Sequence, residues 1–488
     1  MNERQEAIAN IRQRLGWAYS EMKWLTKGGA RRANRKREKL LCFLNGRINY
    51  CFERNKIHMG ALSPGCSVCG QGFWSCMFIN GKCSAHCFYC PQKWKMKKER
   101  PPNTAGVTFN HPEEYADYLE RLGFKGVGFS GGEPLLVFGK LLDYIRVLRR
   151  RLGDRLYLWI YTNGDLADKK KLIGLKKAGL NEIRFDISTR GYDLSRVALA
   201  IPIIDTVTVE IPAIPEDYRI VTTCLAKMCK LGVQHLNLHQ LQTTQNNYRN
   251  FIHRNYTFLH SPLIPIFESE ITALKLMKFA LNHRINLPIN YCSAAYKNRL
   301  QAKGLRERLA SVVKNDHEEL TQTGHIRRLS IQASSENIRK IVAMLKQNKC
   351  PEALFSLNDA GTEIFFHTSR LKGLDLEGFD STPSYFEPQL SRTGYSSETA
   401  EKMMLDSRNG IFIKKQLITQ YKGLSALGMK SFQKLFFENA AEGKVIKHFL
   451  KSYELKTKED FDLMIKEADF LKACKQFERL EAGFPELY

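Results

Sequence analysis

The chain has no run of about 18 consecutive apolar residues, so its sequence predicts no membrane-spanning helix. The start, Met-Asn-Glu-Arg-Gln-Glu, also lacks the charged-then-apolar layout of a secretory signal. Both absences lead us to expect a cytoplasmic protein with no membrane partner, in a compartment where thiols stay reduced. Acidic residues are scarce: 50 Asp and Glu stand against 75 Lys and Arg, a net charge of +25. That imbalance favours an acidic partner, such as RNA, an acidic protein or an acidic electron donor. No internal repeat and no long low-complexity linker is visible, which excludes a solenoid.

What is present is cysteine. Of 13 cysteines, eight (Cys42, Cys51, Cys66, Cys69, Cys76, Cys83, Cys87 and Cys90) fall between positions 42 and 90. A disulfide scaffold belongs to small secreted domains, and this chain has 488 residues. Clustered thiols in a reducing compartment indicate metal instead. Two basic runs flank the cluster, Arg31 to Lys39 and Lys93 to Arg100. Each is either a contact for an acidic partner or a solvated face, and few aromatics interleave with them as a nucleic-acid surface would require.

Residues 1–60 read as a basic helical extension, with Ile8, Ile11, Leu15, Ala18 and Met22 near helical spacing. Strand-like apolar runs follow at 77–79, 125–129, 156–161, 181–187, 205–211 and 233–238, with helical stretches at 112–122, 135–151, 167–178 and 217–231 between them. Alternation of this kind predicts an α/β fold with a parallel sheet. Six units are too few for a closed eight-stranded barrel, so a partial (β/α)6 barrel is expected over 61–310. Residues 311–488 form a C-terminal accessory region, α+β at 317–370 and mainly helical beyond about 395.

The run Cys83-Ser-Ala-His-Cys87-Phe-Tyr-Cys90 is C-x3-C-x2-C. Three closely spaced thiolates can hold a 4Fe–4S cluster with one iron left open. A zinc knuckle is the alternative, but zinc prefers four ligands in two spaced pairs. Behind the next predicted strand comes Ser130-Gly131-Gly132-Glu133-Pro134. Glycines permit close backbone approach, and a carboxylate can accept from an ammonium group. Together these motifs resemble the radical S-adenosylmethionine (SAM) superfamily. The stretches Pro64-Gly65-Cys66-x2-Cys69, Met77-Phe-Ile-Asn-Gly81, Ile211-Pro-Ala-Ile-Pro215, Leu236-Asn-Leu-His239 and Asn290-Tyr-Cys292-Ser293 resemble its group related to pyruvate formate-lyase activating enzyme. More distant is a similarity to the cobalamin-dependent arginine methylase of methyl-coenzyme M reductase.

The resemblance implies that SAM chelates the open iron and that an electron from the cluster cleaves it to a 5′-deoxyadenosyl radical. It places the amino end of SAM at Gly131 to Pro134 and adenine against the backbone of Tyr89. Asn163, Asp186, Ser188, Glu210 and His239, at or near the ends of later strands, are further candidate SAM contacts; a core hydrogen bond or loop cap is the alternative for each. His86 and His235 are ambiguous. Cys66, Cys69 and Cys292 are candidates for an additional iron or zinc, or a set of reduced thiols that pack the domain. Cobalamin is not supported by any Asp-x-His-x-x-Gly loop. The expected reductant is a flavodoxin or ferredoxin. The expected substrate is a peptide or protein, with RNA modification and a non-catalytic iron–sulfur protein as alternatives.

Overall fold

The computed structural model describes residues 3–92, 100–371, 378–392, 399–405, 409–414, 423–438, 440–455 and 457–487. The basic run at 93–99 lies outside them. The chain forms two compact units, residues 1–304 with 482–488, and residues 305–481. Residues 1–60 are therefore part of the first unit and not a separate extension.

The first unit is built on seven parallel strands: β1 (Trp74–Asn80), β2 (Gly126–Gly131), β3 (Tyr157–Thr162), β4 (Glu182–Phe185), β5 (Thr206–Pro212), β6 (His235–His239) and β7 (Ile289–Cys292). Each pairs with its successor in parallel. The six expected units are all present. The seventh strand is a correction to the six-unit reading: the short run after helix Phe267–Asn282 continues the sheet. A hairpin, Asn49–Cys51 and Lys56–Met59, pairs antiparallel with β7 and extends that edge. Those residues were expected to be helical.

Side chains alternate across a strand, and here the alternation separates two kinds of surface. One face carries Val127 and Phe129, Leu158 and Ile160, Ile183 and Phe185, Val207 and Val209, and Leu236 and Leu238, all buried. It packs under helices such as Phe138–Leu152, whose Leu141, Ile145 and Leu148 are buried. Burial of each such side chain stabilises the unit by roughly 1.5–3 kcal/mol. The other face is polar: Glu182 and Arg184 on β4, Thr208 and Glu210 on β5, Asn237 on β6, Asn290 and Cys292 on β7, and every one is buried. The short helix Pro64–Gly70, capped by Ser63, packs on this polar face. A Cβ on Gly65 would stand 2.4 Å from Arg184 Nη2, so only glycine lets the helix approach.

The second unit is an antiparallel sheet running Phe355–Leu357, Glu363–Phe366, Ile326–Gln332, Ser381–Arg392, Asn409–Lys414, Thr399–Met404. Its core joins Ile331, Ile364 and Tyr385 to Ile341, Phe432, Phe449 and Leu471 of the helices. The region past 395, expected to be mainly helical, begins with two of these strands before the helices start at Ala426.

Candidate active site

The C-terminal ends of the parallel strands, where sheets of this kind place ligands, surround a cavity of about 760 Å³. Cys83, Cys87 and Cys90 all line it. They lie on the loop after β1, with the Cys90 amide donating to the Cys87 carbonyl at 3.1 Å. Burial pushes the Cys87 thiol up to about 12 and raises Cys83 and Cys90 as well. Metal coordination deprotonates such thiols and releases their protons.

The loop is held from two sides. Asn163 Nδ2, at the end of β3, donates to Ser84 Oγ at 2.8 Å and lies 3.8 Å from Cys83 Sγ. From the segment after β6, three asparagine amides donate to consecutive regions of the loop backbone. Asn250 reaches the Phe88 carbonyl (2.8 Å), Asn247 the Tyr89 carbonyl (2.9 Å) and Asn246 the Pro91 carbonyl (2.8 Å). The Tyr89 hydroxyl donates to Asp186 Oδ2 at 2.7 Å and sits 2.6 Å from Ser188 Oγ. Asp186 and Ser188, expected as SAM contacts, are thus bound to the cysteine loop. Of the two, Asp186 also lines the cavity. Burial pushes the Asp186 carboxyl up.

The Gly-Gly-Glu-Pro segment has a different immediate partner from the one expected. A Cβ on Gly131 would stand 2.3 Å from the Asn80 carbonyl, and one on Gly132 would stand 1.7 Å from the Lys82 carbonyl. The close approach these glycines permit is to the backbone entering the cluster loop. Gly132 N donates to Asn80 O (3.1 Å) and Glu133 N to Lys82 O (2.7 Å). The buried Glu133 carboxylate accepts from Thr162 Oγ1 (2.8 Å), Asn163 N (2.8 Å) and Leu135 N (3.0 Å). It locks the β2 and β3 ends together; desolvation raises its pKa against those donors. Ser130, Gly131, Gly132 and Glu133 nevertheless line the cavity; Pro134 is buried beneath.

Below the rim lies a charged network that spacing alone did not reveal. Arg184 is paired with Glu182 (2.8 Å) and Glu210 (3.0 Å). Glu210 also accepts from Asn237 (2.7 Å) and pairs with His239 Nε2 (2.8 Å). Burial alone would raise the Glu210 carboxyl, but His239 and Arg184 outweigh it and hold it well below the usual range. Burial and Lys297 push His239 down, yet Glu210 and Cys292 leave it above its ordinary value. The buried Lys56 ammonium lies 3.2 Å from Cys292 Sγ. Against burial, Lys56 and His239 hold the Cys292 thiol below its ordinary range.

Cys66, Cys69 and Cys292 face this network. Asn290 Nδ2 is 3.6 Å from Cys66 Sγ and 3.5 Å from Cys292 Sγ, whereas Cys69 accepts from Tyr296 and Gln301 at 3.4 Å each. Among the described residues no three His, Cys, Asp or Glu side chains converge as the shell of one metal ion. The additional iron or zinc expected at these three cysteines therefore has no assembled shell among the described residues: amides, the Tyr296 hydroxyl, the Lys56 ammonium and, at Cys292, the His239 imidazole are the groups at the sulfurs. A 4Fe–4S cluster makes a different demand, because its thiolates bind separate irons. Three thiols on one wall, facing open cavity, fit it. His86 lines the cavity, while His235 lies on the same strand as His239 but outside the lining.

Residues 77–198 match the family model described as the radical SAM superfamily. A Methanocaldococcus jannaschii protein, described as a candidate glycyl-radical enzyme activating enzyme, is 28% identical over 302 residues, 59% of this chain and 78% of that protein. GTP 3′,8-cyclase of Mycolicibacterium smegmatis is 33% identical over 115 residues, 23% of this chain and 30% of the cyclase. Among solved structures, methylornithine synthase shares 14% identity at a TM-score of 0.31, over 57% of this chain and 76% of its own. The chain carries a radical SAM domain and is a radical SAM enzyme, a class whose cofactors are a 4Fe–4S cluster and SAM.

Proposed function

Because the chain carries a radical SAM domain, we propose that it modifies a peptide or protein by hydrogen abstraction, with Cys83, Cys87 and Cys90 holding the cluster. One observation carries the assignment of the cofactor: these three thiols open onto one wall of a single cavity, on a loop whose backbone is pinned by Asn246, Asn247 and Asn250. When bound, the cluster supplies the electron that splits a carbon–sulfur bond of SAM, giving methionine and a 5′-deoxyadenosyl radical.

The chain's own residues position and enclose. The Asn163 and Tyr89 hydrogen bonds fix the loop against the ends of β3 and β4. Glu133 ties β2 to β3, so that the rim beside the cluster does not shift relative to the loop. Trp74, Tyr161, Ile211, Pro212 and Leu241 line the cavity and restrict water, which protects a reactive intermediate from side reactions. The protein substrate is supported by the similarity to a candidate activating enzyme. An acidic flavodoxin or ferredoxin, attracted by the net charge of +25, is the proposed reductant.

The test is to incubate reduced, cluster-loaded protein and SAM with a cell extract treated either with protease or with ribonuclease. We expect 5′-deoxyadenosine formation to rise with extract, to survive ribonuclease and to fall to background after protease. The opposite sensitivity would transfer the assignment to RNA modification.

A further inference from the structure

Among the described residues at the β4 to β7 end of the cavity, every charged side chain but one is hydrogen-bonded or ion-paired. Arg184 is matched by Glu182 and Glu210, His239 by Glu210, and Lys56 by Cys292. Lys297 also lines the cavity. Among the described residues its ammonium makes no hydrogen bond and no ion pair; burial and Lys56 push it down, against Cys292, Glu210 and Cys69, so a bound carboxylate would restore the charge that burial disfavours. Glu182 and Glu210 thus answer Arg184, and Cys292 answers Lys56, which leaves the Lys297 ammonium without a hydrogen-bonded counter-charge.

The backbone at this position is irregular as well. The short helix Ala294–Tyr296 after β7 passes into a π-helical turn, Lys297–Gln301, and both ends of that turn line the cavity. Single π turns are a costly irregularity that recurs at functional sites.

We propose that Lys297 anchors a carboxylate of the substrate on the β7 side of the cavity. This rests on the reading that the cavity admits a peptide. One flexible ammonium, with no free arginine fork beside it, matches a monoanion better than a phosphate dianion, which draws several donors. Lys297 follows β7, whereas the three thiols lie on the loop after β1, at the other end of the parallel run of strands. That makes an acidic side chain or the C-terminus of a peptide the source, and not the carboxylate of SAM.

The test uses cluster-loaded protein with SAM and an equimolar library of short peptides, with free or amidated C-termini and some phosphorylated members; bound peptides are identified by mass spectrometry. Wild type should enrich carboxylate-bearing peptides over their Asn, Gln or amidated counterparts by about tenfold, a ratio of about 1.4 kcal/mol. Lys297→Arg should keep most of the preference and Lys297→Met should remove it. Whether amidation or Glu→Gln abolishes enrichment identifies the terminal or the side-chain carboxylate. The proposal is overturned by no enrichment in wild type, by enrichment of phosphopeptides, by a preference that survives Lys297→Met, or by a loss of SAM affinity in Lys297→Met without any peptide preference. Formation of 5′-deoxyadenosine by wild type alone, measured in parallel, tests the underlying reading separately.

Discussion

At the scale of single residues, the cluster loop owes its shape to hydrogen bonds that cross the domain. Asn247 and Asn250 each donate one bond to its backbone, worth about 0.5–1.5 kcal/mol apiece. Replacing both with alanine should lower the melting temperature of the cluster-free protein, because the buried Asn247 accepts from Thr244 N at 2.7 Å as well. The loaded cluster should decay several-fold faster in air, followed by its visible absorbance; an unchanged decay would show that the loop needs no pins. Glycine makes an equally local prediction. Gly132→Ala pushes a methyl into the Lys82 carbonyl, whereas a Cβ on Gly139 meets nothing within 4 Å. The first should reduce iron incorporation severely. The second should be neutral or stabilising by about 0.5–1 kcal/mol, since Gly139 lies inside helix Phe138–Leu152. Iron content and thermal unfolding of the two proteins check both.

At the scale of elements, His325 on the turn into strand Ile326–Gln332 shows how an accessory element responds to pH. Burial, with Arg306 adding to it, takes the imidazole down to about 3, and its Nδ1 lies 2.8 Å from Thr323 Oγ1. The folded state thus binds fewer protons than the unfolded chain between about pH 6.5 and 3. The stability this contributes is complete above 6.5 and is lost on acidification, by at most about 1.4 kcal/mol per pH unit. Hydrogen exchange of the strand at pH 6.5 and 5 should report that loss, and His325→Leu should flatten it. The elements themselves divide into legible and illegible. Period-2 apolar runs and flanking helices revealed β1 to β6 because burial between sheet and helices leaves that pattern. Strand β7 was hidden by its length and by its polar inward residues Asn290 and Cys292. Strand Thr399–Met404, Thr-Ala-Glu-Lys-Met-Met, consists largely of helix formers; pairing with Asn409–Lys414 overrides their propensity. The thiol spacing of the loop could be read directly, because ligands close in sequence leave a motif. Asn246, Asn247, Asn250 and Lys56 could not, because each acts on groups distant in the chain.

At the scale of the molecule, the chain returns to its first unit after leaving it. Gly483 N donates to Glu53 O at 2.8 Å, Arg299 and Arg37 donate to the carbonyls of Gly483 and Pro485, and Phe484 stacks on Tyr291. Leu487 is buried, worth about 2 kcal/mol. Removing residues 482–488 should therefore destabilise the unit that carries the cysteines, not only the accessory unit. Limited proteolysis should cut residues 1–304 faster in the shortened chain. Among the described residues no helix is long and apolar enough to cross a membrane.

The most direct measurement is 5′-deoxyadenosine formation by anaerobically reconstituted protein supplied with dithionite and SAM. Wild type should contain about four irons at the loop and release 5′-deoxyadenosine and methionine in equal amounts. The Cys83→Ala, Cys87→Ala, Cys90→Ala triple variant should lose those irons and all product. Wild-type protein that holds its iron but yields no 5′-deoxyadenosine, or a triple variant that still yields it, would contradict the assignment of these three thiols as the reaction's origin.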